Sequence, residues 1–113
     1  MSDYDRQATL FKALNHPARL AILAILRVEE ACVCHLEAAL QQRQAYISQQ
    51  LMVLREAGLI EDRRDGWNVF YRIADPSIYQ VIDAARLALG EASAPHPAVP
   101  EGCDCPKCMA VAA

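Results

Sequence analysis

Much of what would mark an enzyme, a membrane protein or a secreted domain is missing from this chain. Its longest apolar run, Leu20 to Leu26, is far too short to cross a bilayer. The opening Met-Ser-Asp-Tyr-Asp is acidic and lacks the basic-then-apolar order of a secretory signal, so a cytoplasmic protein with no membrane partner is expected. There is no Ser/His/Asp set, no glycine-rich phosphate loop and no paired-acid motif, so no catalytic residue is assigned and no enzyme is expected. Internal repeats are absent. Positive charge is not in excess either: the formal charge is -3, which does not by itself advertise nucleic acid.

What is there suits one compact domain. The 113 residues are 54% hydrophobic and 22% charged, enough for a real core, yet a chain this short gains from sharing that core in a homodimer. The only block with a positive sum is 41–73, which holds Arg43, Arg55, Arg63, Arg64 and Arg72. Five cysteines, an odd number, argue against a disulfide framework in a cytoplasmic chain. They fall into two clusters instead. Cys32 and Cys34 form a C-x-C pair, and Cys103, Cys105 and Cys108 form C-x-C-x-x-C, a grouping of soft ligands that points to metal or redox chemistry.

The hydrophobic rhythm predicts a mostly α fold with one small β-hairpin. A first helix runs from about Ser2 to Leu14, with Leu10, Phe11 and Leu14 on one side. Asn15-His16-Pro17 breaks and restarts the chain, Asn15 as a cap and Pro17 in the first turn of a central, buried second helix. After Glu29-Glu30-Ala31 a short third helix spans about Cys34 to Gln41. A polar link leads to a fourth, ending near Gly58, with Ile47, Leu51 and Leu54 inward and Ser48, Gln49, Met52 and Arg55 outward. Two strand-like runs, Leu59–Arg64 and Asn68–Ile73, flank Asp65-Gly66-Trp67, a hairpin signal. Asp75-Pro76 opens a last helix to about Leu89 whose face is Ile78, Val81, Ile82, Ala85 and Leu89. From Gly90 onward Pro95, Pro97, Pro100 and Gly102 exclude regular structure, so residues 1–90 are read as the domain and 91–113 as a flexible, cysteine-containing tail.

Short helix, short link, amphipathic helix and basic hairpin make the outline of a winged helix-turn-helix. The second helix of such a motif packs through one face and leaves polar groups free for the major groove. Gln49 and Gln50 carry amides able to pair with adenine edges, Tyr46 and Ser48 can reach phosphate or base, and Arg55 lies on the same outward side. Arg63, Arg64 and Arg72 on the hairpin would neutralise phosphates.

Several segments resemble the ArsR/SmtB family of metalloregulatory repressors. Glu30-Ala31-Cys32-Val33-Cys34-His35-Leu36 is similar to its E-L-C-V-C-D-L metal-box. Tyr46-Ile47-Ser48-Gln49-Gln50-Leu51 and Gly66-Trp67-Asn68-Val69-Phe70-Tyr71-Arg72 resemble its recognition helix and wing, and Leu14-Asn15-His16-Pro17-Ala18-Arg19-Leu20 its opening segment. The resemblance implies a homodimer built on the first and last helices that binds palindromic operator DNA and leaves it when an inducer binds. It also implies soft-ion binding at Cys32 and Cys34, where the positive end of the third helix favours thiolate. As(III)/Sb(III) are favoured over Cd(II), Pb(II) or Zn(II). Glu37 stands where arsenic sensors of one pattern have a third cysteine, so Cys103, Cys105 and Cys108 are candidates for the remaining ligands. Val53 and Ala57 replace a fourth-helix cysteine pair, and Ala85 a last-helix histidine, so those family sites are not expected. Two alternatives stay open: a redox- or persulfide-sensing repressor of the same fold, and a small metal carrier or zinc-stabilised interaction module without DNA.

Overall fold

The computed structural model describes residues 2–91. Helix α1 (Asp3–Leu14) is closed at its start by a reciprocal capping box, in which Ser2 and Asp5 satisfy each other's backbone N–H groups. Helix α2 (Pro17–Val28) begins with the proline in its first turn. Its cap is His16, whose Nδ1 accepts from the Ala18 N–H at 3.2 Å, so the cap falls one residue after the expected Asn15. Strand β1 (Ala31–Cys32), helix α3 (Val33–Leu40), helix α4 (Gln44–Glu56), the hairpin β2 (Ile60–Asp65) and β3 (Asn68–Ile73), and helix α5 (Ile78–Ala88) follow.

The core lies where α2, α3 and α4 meet. Ile22 and Leu23 of α2, Leu36 of α3, and Ile47, Leu51 and Leu54 of α4 are all but sealed from solvent. The three α4 residues are the inward stripe that helical periodicity predicts. Leu20 and Ala24 of α2 stay accessible, so this helix is buried on one side rather than all round. Gln41 ends α3 in the left-handed region at φ 53°, which reverses the chain within three residues before α4. Gly58 at φ 78° ends α4, with the Leu59 N–H returning to the Leu54 carbonyl at 3.1 Å.

Beside these helices lies a three-stranded antiparallel sheet in the order β1-β3-β2. The hairpin is tighter than expected: Asp65 pairs with Asn68, leaving Gly66 and Trp67 as the whole loop. Gly66 takes φ 61° in the first central position, where a two-residue loop of this kind needs glycine. The extra strand β1 is the one element that sequence periodicity missed. It is only two residues long and owes its existence to partners forty residues away, Tyr71 and Phe70.

Tyr79 anchors α5 to α2. Its hydroxyl donates to the Leu23 carbonyl at 2.6 Å, and the Arg27 guanidinium sits 4.6 Å from its ring centroid. Arg27 in turn makes a two-pronged ion pair with Asp83 at 2.6 and 2.8 Å. No helix among the described residues is long and apolar enough to cross a membrane.

Candidate nucleic-acid interface and thiol pair

On α4 Ser48, Gln49, Met52 and Arg55 are exposed, on the face opposite the core stripe. Gln50 does not join it. It is 6% exposed, and its Oε1 accepts from Arg19 Nη1 at 3.3 Å. The expected base-reading role is therefore corrected: at 100° per residue Gln50 lies beside Ile47 and Leu54, on the packed side. Arg19 also donates to the Lys12 carbonyl at 3.1 Å, so one guanidinium ties the end of α1 to the middle of α4. Tyr46 is half-buried, and its hydroxyl contacts His16 Nε2 at 3.3 Å. It steadies the first turn of α4 against the start of α2. The pairing of Arg19 with Gln50 and of His16 with Tyr46 spans about thirty positions each, and no local pattern signals it.

The wing arginines divide as well. Arg63 pairs with Glu30, Arg72 Nε donates to Glu61 at 2.7 Å, and Arg55 lies 3.4 Å from Asp62. The Glu30 carboxylate, through its hydrogen bonds first, raises the Arg63 pKa. Arg64 is exposed and in no ion pair among the described residues, and Trp67 stands fully in solvent at the tip. Four cations that look equivalent in sequence thus present one unengaged charge and three held by acids.

The thiol pair sits at the start of α3. Cys32 is the N-cap, its Sγ accepting from the His35 N–H at 3.3 Å. Cys32 is 4% exposed, whereas Cys34 is partly open to solvent, and the two Sγ atoms are 2.6 Å apart. His35 is buried. Among the described residues no set of three or more His, Cys, Asp or Glu side chains converges to hold an ion. Cys103, Cys105 and Cys108 lie outside the described residues. The donors present therefore fit half of a thiolate site: two soft ligands side by side, one of them reachable.

A second surface is apolar. Phe11 of α1, Leu20 and Val28 of α2, and Val81, Ile82 and Leu89 of α5 line an open groove of about 1280 Å³. Phe11, Leu20, Val28 and Leu89 are exposed.

Helix-turn-helix with a flanking hairpin, polar outward α4 and a strand-tethered wing define a winged helix-turn-helix protein. Residues 16–62 match the family described as "Bacterial regulatory protein, arsR family". The chain is 47% identical over 77 residues to the Biofilm growth-associated repressor of Agrobacterium fabrum, a match covering 68% of this chain and 66% of that one. It is 41% identical over 70 residues to the Transcriptional repressor SmtB homolog of Synechocystis, over 62% of this chain and 53% of the relative. The match thus spans somewhat under two thirds of the first relative and about half of the second. The HTH-type transcriptional regulator Rv0081 of Mycobacterium tuberculosis is 38% identical over 87% of both chains. Its crystal structure superposes with a TM-score of 0.71 at 40% identity, covering 77% of this chain and 88% of that one. The solution structure of the Mycobacterium bovis domain Mb0332, described as homodimeric, superposes at 0.69 with 29% identity, over 80% and 88% of the two chains. The protein belongs to the ArsR family of bacterial regulators.

Proposed function

We propose that the protein is a homodimeric transcriptional repressor whose hold on operator DNA weakens when its thiols take up a soft metal or metalloid ion. The observation that carries this reading is the position of Cys32 and Cys34. The two thiols are side by side at the first turn of α3, the helix that leads directly into the DNA-facing α4. Cys32 and Cys34 would supply two thiolates, and one or more of Cys103, Cys105 and Cys108 would complete the set. Bound there, the ion supplies a strong, pH-dependent crosslink between segments. As(III)/Sb(III) are favoured over Cd(II), Pb(II) and Zn(II), because a pair plus one further thiolate suits a trigonal all-sulfur site.

In DNA binding, Ser48 and Gln49 read base edges, Arg55 and Arg64 approach phosphates, and the ion-paired Arg63 and Arg72 shape the wing. The apolar groove supports the dimer: a second copy covering Phe11, Leu20 and Leu89 removes from water a patch that a lone subunit leaves open. The similar Mb0332 domain, described as homodimeric, supports a dimer as such.

Operator binding measured against a panel of ions, with absorption spectra of the thiolate complexes, tests the reading. Cys34→Ser keeps apo-protein DNA binding and loses the response to the ion, with no thiolate band of full intensity. Unchanged induction in that variant overturns the thiol site. Deleting residues 101–113 tests the tail: an unaltered ion response confines the site to the C-x-C pair. A second reading, oxidation or persulfidation of the same cysteines, draws support from the partial exposure of the Cys34 thiol beside Cys32. A repressor that ignores every ion and answers a mild thiol oxidant favours it.

A further inference from the structure

Cys32 is shared by two structures at once. It caps α3 and is also the last residue of β1, directly opposite Phe70 in the β3 ladder. Cys32 and Phe70, 4% and 3% exposed, form a small buried cluster of their own, with Cys34 packed against it. Arg63 faces Phe70 from the other side in the β2–β3 register, its guanidinium carbon 5.0 Å from the ring centroid. The same guanidinium pairs with Glu30 through both Nε, at 3.2 Å from Oε2, and Nη2. Glu30 immediately precedes β1, so the contacts close into a ring that runs from thiol to aromatic to guanidinium to carboxylate and back to the thiol strand. The strand that links the wing to the start of α3, β1, has only two paired positions.

We propose that Phe70 and the Glu30–Arg63 ion pair are the positioning residues through which the state of Cys32 and Cys34 sets the wing. The proposal rests on the thiol-responsive reading above and assigns its route. An ion or arsenical bound by both thiols fixes the separation and direction of the two Sγ atoms. Both thiols pack against Phe70, and Cys32 has no solvent to move into, so the rearrangement of the pair on ligation falls on the ring. Displacing the ring unstacks Arg63 and loads its pair with Glu30, a further tie between the wing and the segment that precedes α3. The wing then has two discrete arrangements, Arg63 held or released, and thiol ligation biases the choice between them. An operator that needs α4 and the wing together loses affinity when their relation changes.

The test uses the full-length chain with Cys103, Cys105 and Cys108 replaced by Ser, and phenylarsine oxide as the probe. One molecule takes two thiols: two S–H bonds break, two As–S bonds form, the arsenic oxygen leaves as water, and nothing is oxidised or reduced. Intact mass reports the adduct independently of any other readout. Amide hydrogen exchange over β2 and β3, and the Arg63 Nε–H resonance, report the wing. The adduct is expected to speed exchange over Asn68–Ile73 about tenfold and to shift the Arg63 resonance. Phe70→Leu, and separately the surface variant Glu30→Gln, are expected to form the same adduct but lose most of that change. A formed adduct with an unmoved wing overturns the proposal, even if a duplex selected from random sequence is released. So does an equal wing response in Glu30→Gln and the parent. A wing that moves as expected while the duplex stays bound upholds the coupling and defeats the regulatory reading. Failure to form the adduct defeats both.

Discussion

Helices α4 and α5 carry apolar stripes of the same helical spacing, yet the chain treats them differently. The α4 stripe of Ile47, Leu51 and Leu54 is sealed by α2 and α3. The α5 face begins buried at Ile78, is half-covered at Val81 and Ile82, and ends with Leu89 at 76% exposure. Periodicity alone says only that a face is apolar. What covers it depends on how many neighbours the topology places there, and α5 has α2 on one side and an open groove on the other. The contrast separates the interior of one subunit from an open apolar surface, the one proposed above to receive a second.

The largest effect is expected inside α4. Leu51→Ala removes a fully buried side chain from the junction of three helices and should cost about 3 kcal/mol in urea unfolding. A loss below 1 kcal/mol would mean that this site can collapse, and that the two stripes differ less than their burial says. Leu89→Lys tests the opposite case. The residue is exposed in the subunit, so the variant should fold, within about 0.5 kcal/mol of the parent once monomeric. Sedimentation should nevertheless show it shifted from dimer to monomer, with weaker operator binding. A dimer of unchanged strength would remove the groove from the interface.

Smaller effects distinguish the exposed side of α4 from the wing. Gln49→Ala should cost about 1–3 kcal/mol of discrimination at one base pair, while Arg64→Ala weakens all sequences alike and lowers the salt slope by about 1. Gln50→Ala, by contrast, should act on stability and helix placement rather than on base choice, because its partner is Arg19.

The smallest effect concerns the α2–α5 contact in acid. Hydrogen bonds from Arg27, and then the charges of Arg27 and Arg86, hold the Asp83 carboxyl below its ordinary range against a smaller cost of burial. A depressed folded-state pKa stabilises the fold above the unfolded value of about 3.9 and loses that contribution as pH falls through the folded value. The unfolding free energies of the parent and Asp83→Asn should therefore differ by a constant amount at neutral pH and converge in acid. Parallel curves down to the acid limb would show that the ion pair contributes nothing.

Local pattern in the chain was enough for the helices, the hairpin and the thiol pair. Leu51 must face inward because Ile47 and Leu54 do, and only a glycine serves at position 66 of a two-residue loop. Those features depend on neighbours within one or two turns, where backbone geometry sets the spacing. Tertiary structure decided the rest. It buried Gln50 against Arg19, engaged Tyr46 with His16, gave to acids three of the four arginines expected to face DNA and created β1 from two residues that no periodicity marks. Each of these depends on a partner distant along the chain, except the Arg72 pair, which follows from the strand register, and the Arg55 pair, which joins the end of α4 to the strand that follows it. Folding brings such partners together only when the core of α2, α3 and α4 has closed. Whether a polar side chain meets DNA or its own protein is set by that closure, since the same glutamine or arginine carries the same hydrogen-bonding groups either way.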